Sequence, residues 1–318
     1  MMQRIATVIK HPDKAYRQLY TLATWKARWK VRQILLSDYY YSLIREPKVR
    51  GSIKIDSQIL EEVTKQLQRS DFDPVDYQIE KTDYTAWVSV AKYERFPLYC
   101  GGVHSSYLNA KKLQHYVAAK LLDLKKDDIY VDIGCGDSPA PEIYREMYGC
   151  QVYRQDVTYP MGIHGNEIGG RAENMPVPAS SFTKMALHCS FEHFGGTSDM
   201  EFIDEASRVL KQEGRLCIVP LYLFHEYAIL IDPCFWPRGF IRAENFESDA
   251  ILYCGKDVIP YMRYYDATHL HSRIRNKLSD LKLIIYSLQN GSYVEPSCNT
   301  NFIALFDKVS SVDFRPNG

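Results

Sequence analysis

The sequence predicts an α/β fold: a doubly wound, mostly parallel seven-stranded sheet with helices on both faces, behind a helical N-terminal extension. Three observations predict it. From Ser105 onward short apolar runs alternate with amphipathic helical segments, and strands separated by helices pair in parallel. The first apolar run ends in the turn YVDIGCGDSPAP (Tyr130–Pro141), where an open parallel sheet takes its ligands. The 318 residues, 46% hydrophobic and 25% charged, suit a large soluble domain with embellishments or two smaller ones.

Residues 1–104 read as a basic, helical extension that caps the acceptor side, 105–310 as the main domain with an insert at 232–276, and 311–318 as a tail. Residues 1–50 hold eleven Lys/Arg against Asp13, Asp38 and Glu46. KAYRQLYTLATWKARWKVRQILL has helical spacing with aromatics between cations. It suits either an interfacial helix on anionic lipid or an ordinary helix packing its aromatic side inward. Residues 51–104 alternate charged and aromatic residues with no clear period.

From Ser105 each element has its own signal. YLNAKKLQHYVAAKLLDL places Leu113, Tyr116, Val117, Leu121 and Leu124 on one helix face. IYVDI (129–133) is a buried strand, 137–148 a turn and helix, and QVYRQD (151–156) the second strand. A Gly-rich loop with a short strand (162–170) follows, then strand 183–188, helix 198–210 and strand 215–222. The rhythm breaks at 232–276, and strands 281–288 and 301–307 end the sheet.

Composition excludes several classes. Lys plus Arg and Asp plus Glu both number 39, so no global charge advertises nucleic acid as a partner. The eight cysteines contain no CxxC pair, which excludes that zinc or redox spacing and favours a reducing, cytoplasmic setting. LCIVPLYLFHEYAILI (216–231) carries Pro220, His225 and Glu226, so it reads as a buried strand and its continuation. His269 and His271 lack a third ligand nearby, so no metal is expected.

The turn narrows the cofactor. Gly134 and Gly136 let backbone approach a ligand, but a dinucleotide fingerprint needs a third glycine where Pro139 stands. Pro139 after Ser138 makes a helix start. Asp132 brings negative charge beside the ligand, which suits a cationic group better than a pyrophosphate. Asp156, twenty residues past Gly136, suits ribose hydroxyls and by itself fits NAD equally well.

VDIGCG therefore resembles motif I of the class I S-adenosylmethionine-dependent methyltransferases, of the methyltransferase type 11 kind, whose sheet is Rossmann-like. GGRAENMPVPASSFTKMALHCSFEHF resembles that family's "gDAenLPfpdnsFDvvls…lEH", and RVLKQEGRLCIVPLY its next helix, turn and strand. The resemblance covers about 129–222. It implies S-adenosyl-L-methionine as cofactor, with Asp132 near its methionine part and Gly134, Cys135 and Gly136 lining it. It further implies Asp156 on the ribose, Ala172 and Glu173 at the adenine, and His188 and Cys189 beside the transferable methyl. Two residues depart from the pattern: Arg171 replaces an acid that accepts from the adenine amino group, and Thr183 replaces Asp after Phe.

Catalytic candidates follow the fourth and fifth strands. Glu192 and His193 in FEHF either face the acceptor or orient the loop, and His225 is placed at the sheet edge where acceptors enter. The expected function is methyl transfer to oxygen of a small-molecule or carbohydrate-like acceptor, including a glycan or lipid-linked one, with peripheral membrane contact through residues 1–50. The alternatives are a non-catalytic scaffold that keeps the fold and an NAD-dependent oxidoreductase.

Overall fold

The computed structural model describes residues 49–101, 105–231, 247–254 and 261–309. The basic aromatic helix expected within 1–50 lies outside them, apart from Val49 and Arg50. In chain order the elements are β1 (Val49–Arg50), α1 (Ser57–Arg69), β2 (Val75–Tyr77), α2 (Lys81–Ala91), α3 (Ser106–Leu122), β3 (Ile129–Ile133), α4 (Ala140–Tyr148), β4 (Gln151–His164) and β5 (Glu167–Gly169). They continue with β6 (Phe182–His188), α5 (Ser198–Val209), β7 (Leu210–Val219), β8 (Ala228–Ile231), β9 (Ile251–Cys254), β10 (Met262–Tyr264), α6 (Ala267–Arg273), β11 (Leu281–Leu288), α7 (Gly291–Val294) and β12 (Phe302–Lys308).

The chain divides into two compact units. The larger, from Ile55–Ala228 and Arg263–Gly318, holds an eight-stranded sheet in the order β2-β11-β12-β7-β6-β3-β4-β5. Only β12 runs against both of its neighbours. The doubly wound, mostly parallel sheet is as predicted, but with eight strands in place of seven. The added strand is β2, parallel to β11 at Val75 and Tyr286. In the smaller unit, from Met1–Lys54 and Ile229–Met262, β1 pairs in parallel with β9, which borders β8. Ile229, Ile231, Cys254 and Tyr261 form its core.

Residues 51–101 hold more order than the pattern of 51–104 suggested. Asp56 caps α1 by accepting from Ile59 N at 3.0 Å, and Val63 and Leu67 bury one turn apart. In α2, Tyr84, Trp87 and Ala91 share one buried face, and Trp87 Nε1 donates to Tyr148 Oη at 2.7 Å. That face joins α3, β3 and α4 in a single core cluster.

β3 and β11 span the predicted residues, while β4 runs eight residues beyond its predicted end. Its extension turns back antiparallel onto β5, pairing Ile163 with Ile168. α4 starts at Ala140, with Ser138 Oγ accepting from Ala140 N at 3.2 Å behind Pro139. Among the described residues no helix is long and apolar enough to cross a membrane.

Candidate active site

The glycine turn between β3 and α4 is braced from β4. Gly134 (φ +61°) and Gly136 (φ +50°) both take the left-handed conformation that glycine tolerates. A Cβ on Gly134 would stand 2.8 Å from Ser190 Cβ, so the segment after β6 packs directly on the turn. A Cβ on Gly136 would meet nothing within 4 Å, which leaves that glycine open to a ligand. Gln155 accepts from Gly134 N at 3.1 Å and donates to Gly170 O at 2.6 Å. Asp156 accepts from Gly136 N at 2.8 Å through one oxygen and from Thr158 N and Oγ1 through the other. Arg154 and Tyr159 both donate to Gly136 O at 3.0 Å, and Arg154 pairs with Glu142 at 2.6 Å. Cys135 sits within the turn, its thiol pushed up to about 12 by burial and by Asp132, so it stays protonated.

Asp132 is fully buried. Its Oδ1 lies 3.0 Å from His188 Nδ1, and its Oδ2 has no partner among the described residues. A buried carboxylate oxygen without a donor is costly unless a ligand supplies one. Together with the open face of Gly136, it fits a cofactor that carries an ammonium and a sulfonium. His188, expected beside the transferable methyl, faces inward: its ring meets Asp132, Tyr144 Oη at 3.3 Å and the His115 ring at 4.7 Å. It contributes to the site by holding Asp132.

Past β6, Cys189 adopts φ +53°, and Ser190 Oγ donates to Ile133 O at 2.8 Å. Phe191–His193 forms one 3-10 turn. Glu192 is 3% exposed, and its Oε2 has no partner among the described residues. Burial raises its carboxyl above 4.5, against the opposing pull of His193 and Lys111. His193 is partly exposed, its Nε2 3.7 Å from Glu192 Oε1. His225 is tied by its carbonyl to Gln66 Nε2 at 2.9 Å, and its ring packs edge-on against Phe224.

The two departures have structural partners. Arg171 pairs with Glu173, which also accepts from Ser198 Oγ at 3.0 Å at the start of α5, beside buried Ala172. Thr183 Oγ1 accepts from Ile129 N at 2.9 Å and donates to Asp128 at 2.7 Å, joining β6 to the start of β3. The loop after His193 is clamped from the far end of the chain. Arg263, fully buried, donates to Phe194 O and Gly196 O and pairs with Asp199 at 3.0 Å. Tyr265 and Arg273 bond the same carboxylate. Asp266 caps α6, and His269 stacks on Tyr227 at 3.9 Å. No group of three or more metal-binding side chains occurs among the described residues.

The sequence reading passed over Lys111 and Gln114 on α3 and Gln155 on β4, all buried. A signal was present for Lys111, which falls three residues after Leu108 and four before His115 on one face of a helix buried almost all round.

Residues 131–218 match the family described as a methyltransferase domain. No curated protein matches the chain. Among solved structures it is similar to a 1,6-didemethyltoxoflavin-N1-methyltransferase from Burkholderia thailandensis, bound to 1,6-didemethyltoxoflavin and S-adenosylhomocysteine. The two are 10% identical over 82% of this chain and 100% of that one, with TM-score 0.45. It is also similar to a SAM-dependent methyltransferase from Methanosarcina mazei, at 14% identity over 58% of this chain and 94% of that one, with TM-score 0.37. The family match runs from β3 through β7, taking in the turn, its braces on β4 and the segment packed on Gly134. It speaks for a methyl-donor cofactor over the dinucleotide of the dehydrogenase reading. Over residues 131–218 the chain carries a methyltransferase domain on a Rossmann-like sheet, that of a class I S-adenosylmethionine-dependent enzyme.

Proposed function

We propose that the chain methylates an oxygen atom of a small or carbohydrate-like acceptor, with Glu192 as the base. The observation that carries this reading is the unpartnered Oε2 of Glu192, buried two residues past the serine that packs on Gly134. Asp132, Gly134, Cys135, Gly136 and Asp156 hold the methionine and ribose parts of the cofactor, and Ala172 and Glu173 border the adenine. Cys189 lines the approach to the methyl. Bound there, S-adenosylmethionine would supply an electrophilic methyl group for the acceptor oxygen and leave as S-adenosylhomocysteine. Glu192 takes the O–H proton, and half-exposed His193 returns it to solvent. Burial keeps water from competing and raises the basicity of Glu192.

Neutral net charge supports a small acceptor over nucleic acid. A lipid-linked glycan at a membrane surface would suit the basic residues 1–50, and the absence of disulfides among the described cysteines supports a reducing compartment. The test is calorimetric titration with S-adenosylhomocysteine and with NADH, followed by S-adenosylhomocysteine release from S-adenosylmethionine across a panel of hydroxyl compounds. Glu192→Gln should bind S-adenosylhomocysteine like the wild type and lose about 100-fold or more in turnover. Unchanged turnover removes Glu192 from the chemistry.

A further inference from the structure

Lys111 lies on the buried side of α3 and is 6% exposed. Sequestering an ammonium is expensive unless its protons are bonded and its charge compensated. One N–H goes to His188 O, the last carbonyl of β6, at 3.1 Å. The Cys189 thiol lies near this charge and sends its own proton to Gln114 Oε1 at 3.2 Å. No other hydrogen bond to the ammonium occurs among the described residues. The ring of Tyr107 lies 5.6 Å from the ammonium. The nearby carboxylate that senses this charge is Glu192, which has an unpartnered oxygen of its own. A cation with a spare donor and an anion with a spare acceptor thus share the carboxyl end of β6, beside the segment that packs on Gly134.

The signs of these charges discriminate between acceptors. A hydroxyl becomes negative as its proton leaves, and a fixed ammonium in a water-poor site favours that change. An amine arrives as an ammonium, or becomes positive as it gains the methyl, and the same charge opposes it.

We propose that Lys111 is a second catalytic residue, holding the acceptor's oxyanion while Glu192 withdraws its proton, and that it restricts the acceptor to hydroxyl compounds. This rests on the oxygen-methylation reading. In the balanced step the proton passes from the acceptor hydroxyl to the Glu192 carboxylate, and the oxygen's electron pair forms the bond to the methyl. The pair of the broken C–S bond stays on sulfur, and Lys111 keeps its three protons.

The test uses 4-nitrophenol, whose phenolate absorbs visibly, with the full chain saturated in S-adenosylhomocysteine. Calorimetry with S-adenosylhomocysteine comes first; if the wild type fails to bind it, the cofactor reading itself falls and this proposal with it. In the loaded wild type the bound probe should ionise about one pH unit lower than in water, a roughly tenfold preference for the anion. Lys111→Arg should keep most of that shift, and Lys111→Met should lose it at unchanged S-adenosylhomocysteine affinity. Where Lys111→Met does not fold, Lys111→Gln takes its place. Benzylamine should not displace the probe. Failure of the loaded wild type to bind nitrophenolate, an undiminished shift without the lysine charge, or displacement by benzylamine would overturn the proposal.

Discussion

His188 Nδ1 lies 3.0 Å from Asp132 Oδ1, with both side chains sealed beneath the glycine turn. The other ring nitrogen faces Tyr144 Oη, whose own proton goes to His115 O at 2.6 Å. The acid proposed to face the cofactor is therefore held from behind, while its second oxygen has no partner among the described residues. Replacing His188 by Leu strands a buried carboxylate. The expected cost is about 3 kcal/mol of unfolding free energy, read from urea titration, with weaker S-adenosylhomocysteine binding. His188→Asn, which restores one donor toward Asp132, should recover part of both.

His115 gives the fold an acid limit. Burial, with His188 and Lys111 nearby, holds its ring well below the ordinary 6.5. The folded chain keeps His115 neutral, whereas the unfolded chain takes up a proton below that value. Stability that is full above pH 6.5 is thus lost as pH falls toward the folded-state pKa, by about 2 kcal/mol at about pH 5. His115→Phe should flatten the fall in Tm over that interval relative to wild type.

The two motif glycines should respond differently to alanine. At Gly136 the added methyl meets no neighbour, so the variant pays about 1 kcal/mol of backbone strain and folds, yet loses S-adenosylhomocysteine binding because the methyl occupies the ligand's approach. At Gly134 the same change also collides with Ser190 and should cost clearly more stability. Paired melting and calorimetry separate the two effects, and equal melting temperatures would contradict the packing described.

Asp156→Ala removes the acceptor of Gly136 N. A hydrogen bond to a charged group contributes about 1.5–3 kcal/mol, so both stability and cofactor affinity should fall, the latter about tenfold or more. Calorimetric Kd values for S-adenosylhomocysteine decide it.

Asp199 carries the clamp on the 194–199 loop. Asp199→Ala removes the buried carboxylate that Arg263 and Arg273 share, an expected loss of about 3 kcal/mol in denaturant unfolding. Asp199→Asn, which keeps one acceptor, should fall between.

Most of the sheet was legible because strand and helix periods differ, and IYVDI and LKLIIYSL are apolar runs with sharp ends. The segment 57–91 was not, because only two of the thirteen residues of α1 and three of the eleven of α2 are buried, too few to mark a period. The glycine turn was legible from residue types that few other conformations demand. The inward turn of His188 was not: it depends on contacts with β3, α3 and α4 that no local pattern encodes. Lys111 was hidden by its type, since a lysine in a helix ordinarily faces water. The clamp from Arg263 and Arg273 onto Asp199 spans more than sixty residues, beyond any motif window.

Gln155 is 1% exposed, with its amide oxygen committed to Gly134 and its amide nitrogen to Gly170. The two ends of this amide cannot be exchanged, and a glutamate there would turn an acceptor toward a carbonyl. Asp156, Arg154 and Tyr159 bond to the same turn, so the proposed cradle is held by the protein's own side chains. Little loop entropy then remains to be lost on binding, so cofactor association should be fast and the turn's amides should be protected from hydrogen exchange to similar degrees with and without S-adenosylhomocysteine.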